Sequence, residues 1–405
     1  GGKFRDDSRL SISTMVVYHV AGTARRGQDG VTRVLYEYLE RHRAAGLSPA
    51  VVTAVSDPDE QQRFPMVELR AVRLPIYRDY RLFIGTCSSF ARAVEHIGQE
   101  PDLVHIHTPC PLGRAAVYYA RNRSIPVIAT YHTHFPSYLR HHRVGIVRPF
   151  VERSLLSFYH RCDRVLIPSK RLLEELRNMG LHNLEYLPHG TDTVQFHPRW
   201  ASHHWRQRLG IQPGQRVILY VGRLVWEKNL RVLIELWDRM DRRRYALVLV
   251  GTGPIDARLR RLMRGALFLG YRTGLELAEA YASSDVFVFP SDTETFGNVT
   301  LEALSSGLPC VVADSPGSSD LVRHGMTGFR VRADDVDGFV LAVEAIASLP
   351  PDSMLLWRLR ARLDAERFQW SHICSKLFAL YRSLGHQQRL QQVEEAKLQM
   401  VPLPQ

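Results

Sequence analysis

The sequence predicts an α/β protein of two domains, each a doubly wound sheet. Three observations carry this reading. A chain of 405 residues exceeds the usual single-domain range. Short apolar runs alternate with longer segments whose apolar residues recur at helical spacing, the pattern of strands and helices around a parallel sheet. A glycine-containing loop then links the first strand to its helix, as in open α/β sheets that bind ligands.

Taken in order, residues 15–20 read as a buried strand. The loop AGTARRGQDG leads to the helix VTRVLYEYLERHRAAG, which Gly46 closes, and a second strand spans 49–55. A strand and an apolar-basic segment lie between 64 and 86. Residues 102–108, DLVHIHT, give a further buried strand, followed by the helix PLGRAAVYYARNR. A strand at 126–131 runs into a loop with His132 and His134. A strand at 163–169, a helix and a strand with the turn His189-Gly190-Thr191-Asp192 follow. A polar, turn-rich linker places the domain boundary near 197–213.

The second half opens with a strand, 217–221, that ends in Gly222, then Arg223 and Lys228, with a helix from about Asn229. Two cations on a strand-to-helix loop suit a diphosphate, since arginine forks two oxygens and lysine supplies a point charge. The bland alternative is a surface pair with Glu227. Strands are expected at 246–254, 266–271, 286–289, in 310–322 and at 327–331, and helices at 336–348, 352–364 and 368–385. The tail 386–405 is either another helix or disordered.

The stretch 290–309, PSDTETFGNVTLEALSSGLP, carries the most chemistry. Pro290 stops the strand, and a helix starts near Asn298 and closes at Gly307 and Pro309. Glu294 then lies in the loop and Glu302 about one turn into the helix. A helix N-terminus offers unpaired N–H groups and partial positive charge to a phosphate. Two carboxylates beside that nest would repel the phosphate unless each holds hydroxyl groups. Hydroxyl, phosphate, hydroxyl is the outline of a nucleotide-sugar.

Composition bounds the alternatives. Apolar and charged fractions are those of a soluble globular protein. No run approaches the ~18 apolar residues of a membrane span, and the polar first residues lack a signal-peptide pattern. Five scattered cysteines show no metal spacing, so a cytoplasmic, metal-free protein is expected. The net charge of +12 suits anionic lipid, an anionic nucleotide or a solubilising surface. No interleaved aromatic and basic pattern points to nucleic acid. Residues 140–164 are basic and amphipathic. Val147, Phe150, Val151, Leu155 and Phe158 share a face among Arg140, Arg143, Arg148, Arg153 and Arg161. That fits either an anionic membrane surface or a core helix with a solvated basic side.

The run TETFGNVTLEALSSGLPCVV, together with GRLVWEKN, resembles the retaining glycosyltransferases of family 4, which have the GT-B fold. The resemblance covers residues 14–385. DLVHIHTPCPLG and YHTHFPSYL are similar to the family's lipid-acting mannosyl-, glucosyl- and sulfoquinovosyltransferases, and HGTD resembles its G-V-D signature. Pro316-Gly317-Ser318 departs from the family's G-G, and His134 stands where a small polar residue is usual, which leaves its role open.

The resemblance implies two Rossmann-like domains facing across a cleft. It also implies an acceptor domain over 14–197, a nucleotide-sugar domain over 198–367, a helix at 368–385 returning to the first domain, and a tail at 386–405. By the same resemblance, Arg223 and Lys228 hold the diphosphate and Glu302 the ribose. Glu294 positions the sugar, with Thr295, Phe296, Gly297, Asn298 and Val299 around it. His132 contacts the reacting region, and Gly30 and Val31 offer backbone contacts. Catalysis rests with His132, Glu294, Arg223 and Lys228. The expected reaction moves a hexose from a UDP- or GDP-sugar, with retention and no cofactor, to a membrane lipid or glycolipid at the inner membrane face. A soluble saccharide acceptor is the alternative. Rivals are a nucleotide-sugar epimerase or phosphorylase, and a binding module without turnover.

Overall fold

The computed structural model describes residues 14–27, 29–73, 81–132 and 148–399. His134, Arg140, Arg143 and Val147 lie outside them. The chain divides into two compact units. The first comprises Gly1–Thr130, Arg161–Val165 and Cys374–Gln405, and the second Tyr131–His160 and Leu166–Ile373.

The strands are β1 (Met15–Ala21), β2 (Leu47–Thr53), β3 (Met66–Glu68), β4 (Ala71–Arg73), β5 (Arg81–Phe83), β6 (Leu103–Ile106), β7 (Val127–Thr130), β8 (Arg164–Ile167) and β9 (Leu184–Tyr186) in the first part of the chain. There follow β10 (Arg216–Val221), β11 (Tyr245–Val250), β12 (Leu267–Gly270), β13 (Val286–Phe289), β14 (Cys310–Ala313) and β15 (Gly328–Val331). One sheet has the order β3-β2-β1-β6-β7-β8-β9 and the other β12-β11-β10-β13-β14-β15, while β4 and β5 pair separately and antiparallel. In the second sheet the pairings are parallel. Strand order reverses beside β10, which neighbours both β11 and β13, and a ligand crevice forms at the carboxyl ends of strands at such a switch point. Both faces of that sheet are covered. That is why YALVLV and VFVF are continuous apolar runs and why each is buried throughout.

The elements expected from apolar periodicity are present, most with ends shifted by a residue or more, while the strand Val286–Phe289 lies where expected. The last helix differs most. It runs unbroken from Trp370 to Gln399, through most of the stretch expected to form a separate tail. The helix Arg148–His160 buries Phe158, half-buries Leu155 and leaves Phe150 72% exposed.

In the first unit the helix Gly30–His42 and the last helix enclose four buried histidines, His19, His42, His105 and His107. The Tyr38 carbonyl lies 2.6 Å from His42 Nδ1, so that nitrogen donates. His42 Nε2 then accepts from His19 Nε2 at 3.0 Å, and His19 Nδ1 accepts from His107 Nε2 at 2.9 Å. His105 bridges the Tyr381 hydroxyl (2.6 Å) and Thr130 Oγ1 (2.7 Å). Nitrogens of His19, His105 and His107 lie within 4.8 Å of one another. These bonds engage both nitrogens of His19 and of His105.

Burial pushes His42 down to about 4, and burial with its three histidine neighbours holds His19 well below its ordinary value. A lowered folded pKa means that the unfolded chain binds the proton first as pH falls. Stability should be unaffected by these groups above pH 6.5. It should then drop by about 1.4 kcal/mol per pH unit for each such histidine as pH falls from 6.5 toward about 4. Urea unfolding across this window checks it: His42→Gln should show a shallower slope than wild type, and equal slopes would refute the assignment.

Candidate functional site

The expected site residues of the second unit converge on the carboxyl ends of β10, β11, β13 and β14. Backbone contact brings these loops together. A Cβ on Gly251 would meet the Gly222 carbonyl at 1.9 Å, and one on Gly253 the Leu224 carbonyl at 2.2 Å. The loop after β11 therefore lies directly on the loop after β10, and Leu224 N donates to Thr252 O at 3.0 Å. On the other side, a Cβ on Gly317 would meet the Glu294 carbonyl at 2.8 Å. Gly297, at φ +91°, would meet Ser318 Oγ at 2.2 Å. So Pro316-Gly317-Ser318 keeps the one glycine that the close approach to Glu294 needs.

Lys228 Nζ donates to Glu294 Oε1 across this cluster, joining the loop after β10 to the loop after β13. The side chains are 24% and 17% exposed. Ser291 Oγ donates to the same carboxylate oxygen at 2.9 Å. The surface pair with Glu227 is thus not what Lys228 forms. Arg223 is exposed on the same loop, and its carbonyl accepts from Tyr220 Oη at 3.0 Å. Burial, and then the charge of Glu294, push the Tyr220 phenol up, which keeps it a neutral donor.

The helix Asn298–Ser305 starts at Gly297, which is in the left-handed region and provides no side-chain cap. Its first-turn amides, from Asn298 and Val299 onward, hold the positive end of the helix dipole. Thr295 and Phe296 are buried and Asn298 and Val299 half-buried. Thr295 Oγ1 donates to the His132 carbonyl at 3.0 Å. The His132 ring lies 5.5 Å from that of His189, which in turn lies 5.0 Å from Phe296 and 3.0 Å (Nδ1) from Asn298 Oδ1. His132 is therefore brought to the same loop as Glu294. Glu302 lies one turn into the helix, 2% exposed, and accepts from Tyr281 Oη at 2.9 Å. Gly30 and Val31 belong to the first unit, in the first turn of Gly30–His42. There the Asp29 carboxylate caps Thr32 N at 2.8 Å.

Three contributors were not singled out from sequence. Ser291 and Tyr281 bind the two glutamates. Asn229 sits at φ +56° and donates through Nδ2 to Pro290 O (3.2 Å) and Ala333 O (2.7 Å). The residue after Lys228 must turn left-handed to start the next helix, which asparagine tolerates and most residues do not. That signal was available in WEKN.

Comparison with known proteins gives the class of this protein, a glycosyltransferase. Residues 28–195 match the family described as Glycosyltransferase Family 4, and residues 215–348 that described as Glycosyl transferases group 1. A GDP-mannose-dependent alpha-mannosyltransferase of Mycobacterium tuberculosis is 30% identical over 88% of this chain and 93% of its own. The sulfoquinovosyl transferase of Arabidopsis thaliana is 32% identical over 81% of this chain, which spans 65% of that relative. Among solved structures, sucrose-phosphate synthase from Thermosynechococcus elongatus superposes with a TM-score of 0.76 at 20% identity, covering 91% of this chain and 99% of its own. The Anabaena protein HepE in complex with UDP-glucose gives 0.71 at 18%, covering 91% and 100%. The chain belongs to glycosyltransferase family 4, with the two Rossmann-like folds of GT-B enzymes.

The turn at Asn229 generates a stability prediction. Asn229→Ala loses two hydrogen bonds and leaves a left-handed residue without local support, and should destabilise by about 2 kcal/mol. Asn229→Gly relieves the backbone and should cost less. Urea midpoints of the two variants decide the matter, and the reverse order would contradict it.

Proposed function

We propose that this enzyme transfers a hexose from a UDP- or GDP-sugar, with retention, to a hydroxyl of a membrane lipid or glycolipid. The observation that carries the donor side is the Lys228–Glu294 pair beside the uncapped N-terminus of Asn298–Ser305, with Glu302 one turn further on. Arg223, Lys228 and the first-turn amides take the diphosphate, Glu302 the ribose hydroxyls, and Glu294 the sugar hydroxyls. His132 lies beside the transferred sugar. As the acceptor oxygen bonds the anomeric carbon on the leaving-group face, the bond to the diphosphate breaks and the acceptor proton passes to a diphosphate oxygen. Preorganised cations and amides stabilise the charge that develops on it. The reading needs no cofactor and no protein-bound metal, so turnover should persist in EDTA, and its loss there would overturn that part.

The names of relatives support the lipid side. They include the sulfoquinovosyl transferase and an alpha-monoglucosyldiacylglycerol synthase of Streptococcus pneumoniae, 28% identical. No described helix is by itself long and apolar enough to cross a membrane. Peripheral attachment at a cytoplasmic face, through exposed Phe150 and Arg153 and the net charge of +12, fits this acceptor. A soluble acceptor is the second reading, and nucleic acid has no part in either.

Nucleoside diphosphate release from a panel of nucleotide-sugars, with lipid and soluble acceptors, tests the reading. Binding of a nucleotide-sugar with no release of nucleoside diphosphate, whatever the acceptor, would favour a binding module. Lys228→Ala should lower turnover on the order of 100-fold, and near-wild-type rates would remove this loop from the active site. Glu302→Gln should weaken nucleoside diphosphate binding by roughly 1.5–3 kcal/mol. Glu294→Gln should leave that affinity intact and lower turnover. Equal effects of the two on affinity would contradict the division of roles.

A further inference from the structure

Tyr281 is the penultimate residue of the helix Gly274–Ala282 and is fully buried. Its ring is held edge-on to Phe196 (centroids 5.7 Å apart, planes at 89°) and tilted against Phe287 at 5.9 Å. Phe196 is itself anchored, because its carbonyl accepts from Ser305 Oγ at 2.7 Å and from Arg362 Nη1 at 2.8 Å. The phenol therefore has little freedom, and its hydroxyl donates to Glu302 Oε2 at 2.9 Å, in a contact buried on both sides.

We propose that Tyr281 is a positioning residue for Glu302 and, through it, a determinant of preference for a ribose with free 2′ and 3′ hydroxyls. The proposal rests on the reading of Glu302 as the ribose acceptor. A carboxylate has about four acceptor positions, so Glu302 can serve the phenol and a pair of vicinal hydroxyls together. One bond from a rigid donor sets the plane of the carboxylate. Without it the group samples other rotamers, and two hydroxyls held on a five-membered ring demand one orientation of their acceptor. A tyrosine needed only for packing could be phenylalanine, since burying a hydroxyl is costly unless it has a partner. Placing it against a buried carboxylate satisfies both groups.

The test is calorimetric binding of UDP and GDP and of their 2′,3′-dideoxy analogues, with thermal melting to check the fold. The base that binds wild type is used throughout. Tyr281→Phe is expected to weaken the ribose nucleotide about 5- to 10-fold, as loss of a buried hydrogen bond implies, and to leave the dideoxy nucleotide unchanged. With donor substrate the loss should fall on KM rather than kcat. Glu302→Gln should lose the ribose preference, and the double variant should show no further loss. If Glu302→Gln keeps the preference, the ribose reading itself is wrong. If Glu302→Gln loses it and Tyr281→Phe keeps it, Tyr281 is a packing residue and this proposal fails. Should Tyr281→Phe not fold, 4-aminophenylalanine and 4-methylphenylalanine at position 281 replace it. The first keeps a donor and should keep the preference, while the second matches its size without a donor and should lose it. Equal preference in both would overturn the proposal.

Discussion

The ion pair between Lys228 and Glu294 is the constraint on which the site depends. It joins the loops after β10 and β13, adjacent parallel strands whose sequence positions are far apart. Both groups are partly withdrawn from water, so the pair is worth more than an exposed one and breaking it leaves a charge poorly solvated. Ser291 shares the load on the carboxylate.

The pair can form only because the surrounding backbones are unusually close. Gly251 and Gly253, on the loop after β11, pack against the loop after β10, and Gly317 and Ser318 lie against Glu294 and Gly297. Asn229 then turns the chain left-handed and ties Pro290 and Ala333 to the same place. Behind the helix Asn298–Ser305, Arg362 donates to the carbonyls of Thr193, Phe196 and Ser305. These contacts anchor the carboxyl end of that helix.

Much of this was legible in the sequence because it is local. Apolar runs bounded by glycine or proline mark the strands, and VTLEAL marks the helix that carries Glu302. The turn GRLVWEKN, with its cations, marks the loop after β10. What escaped depends on partners distant in sequence. Tyr281 meets Glu302 across 21 residues, Lys228 meets Glu294 across 66, and His189 meets Asn298 across 109. Nothing in AEAYASS distinguishes a tyrosine that orients a carboxylate from one that fills a core. The histidines of β1 and β6 were readable as buried, but their bond to His42 on a helix was not. The continuity of the last helix through Gly385 escaped because glycine signals a break, whereas Gly385 is buried close to Met15.

A nucleotide-sugar seated on the loops after β10 and β13 is central to every role assigned to these residues. The most direct measurement is photo-crosslinking of the wild-type enzyme with a nucleoside diphosphate carrying a photoreactive group on its terminal phosphate, followed by peptide mapping. Label in peptides spanning 222–230 and 290–303, displaced by unlabelled nucleoside diphosphate or nucleotide-sugar, is the predicted result. Label that competes as strongly but maps outside these loops would contradict this placement of the donor.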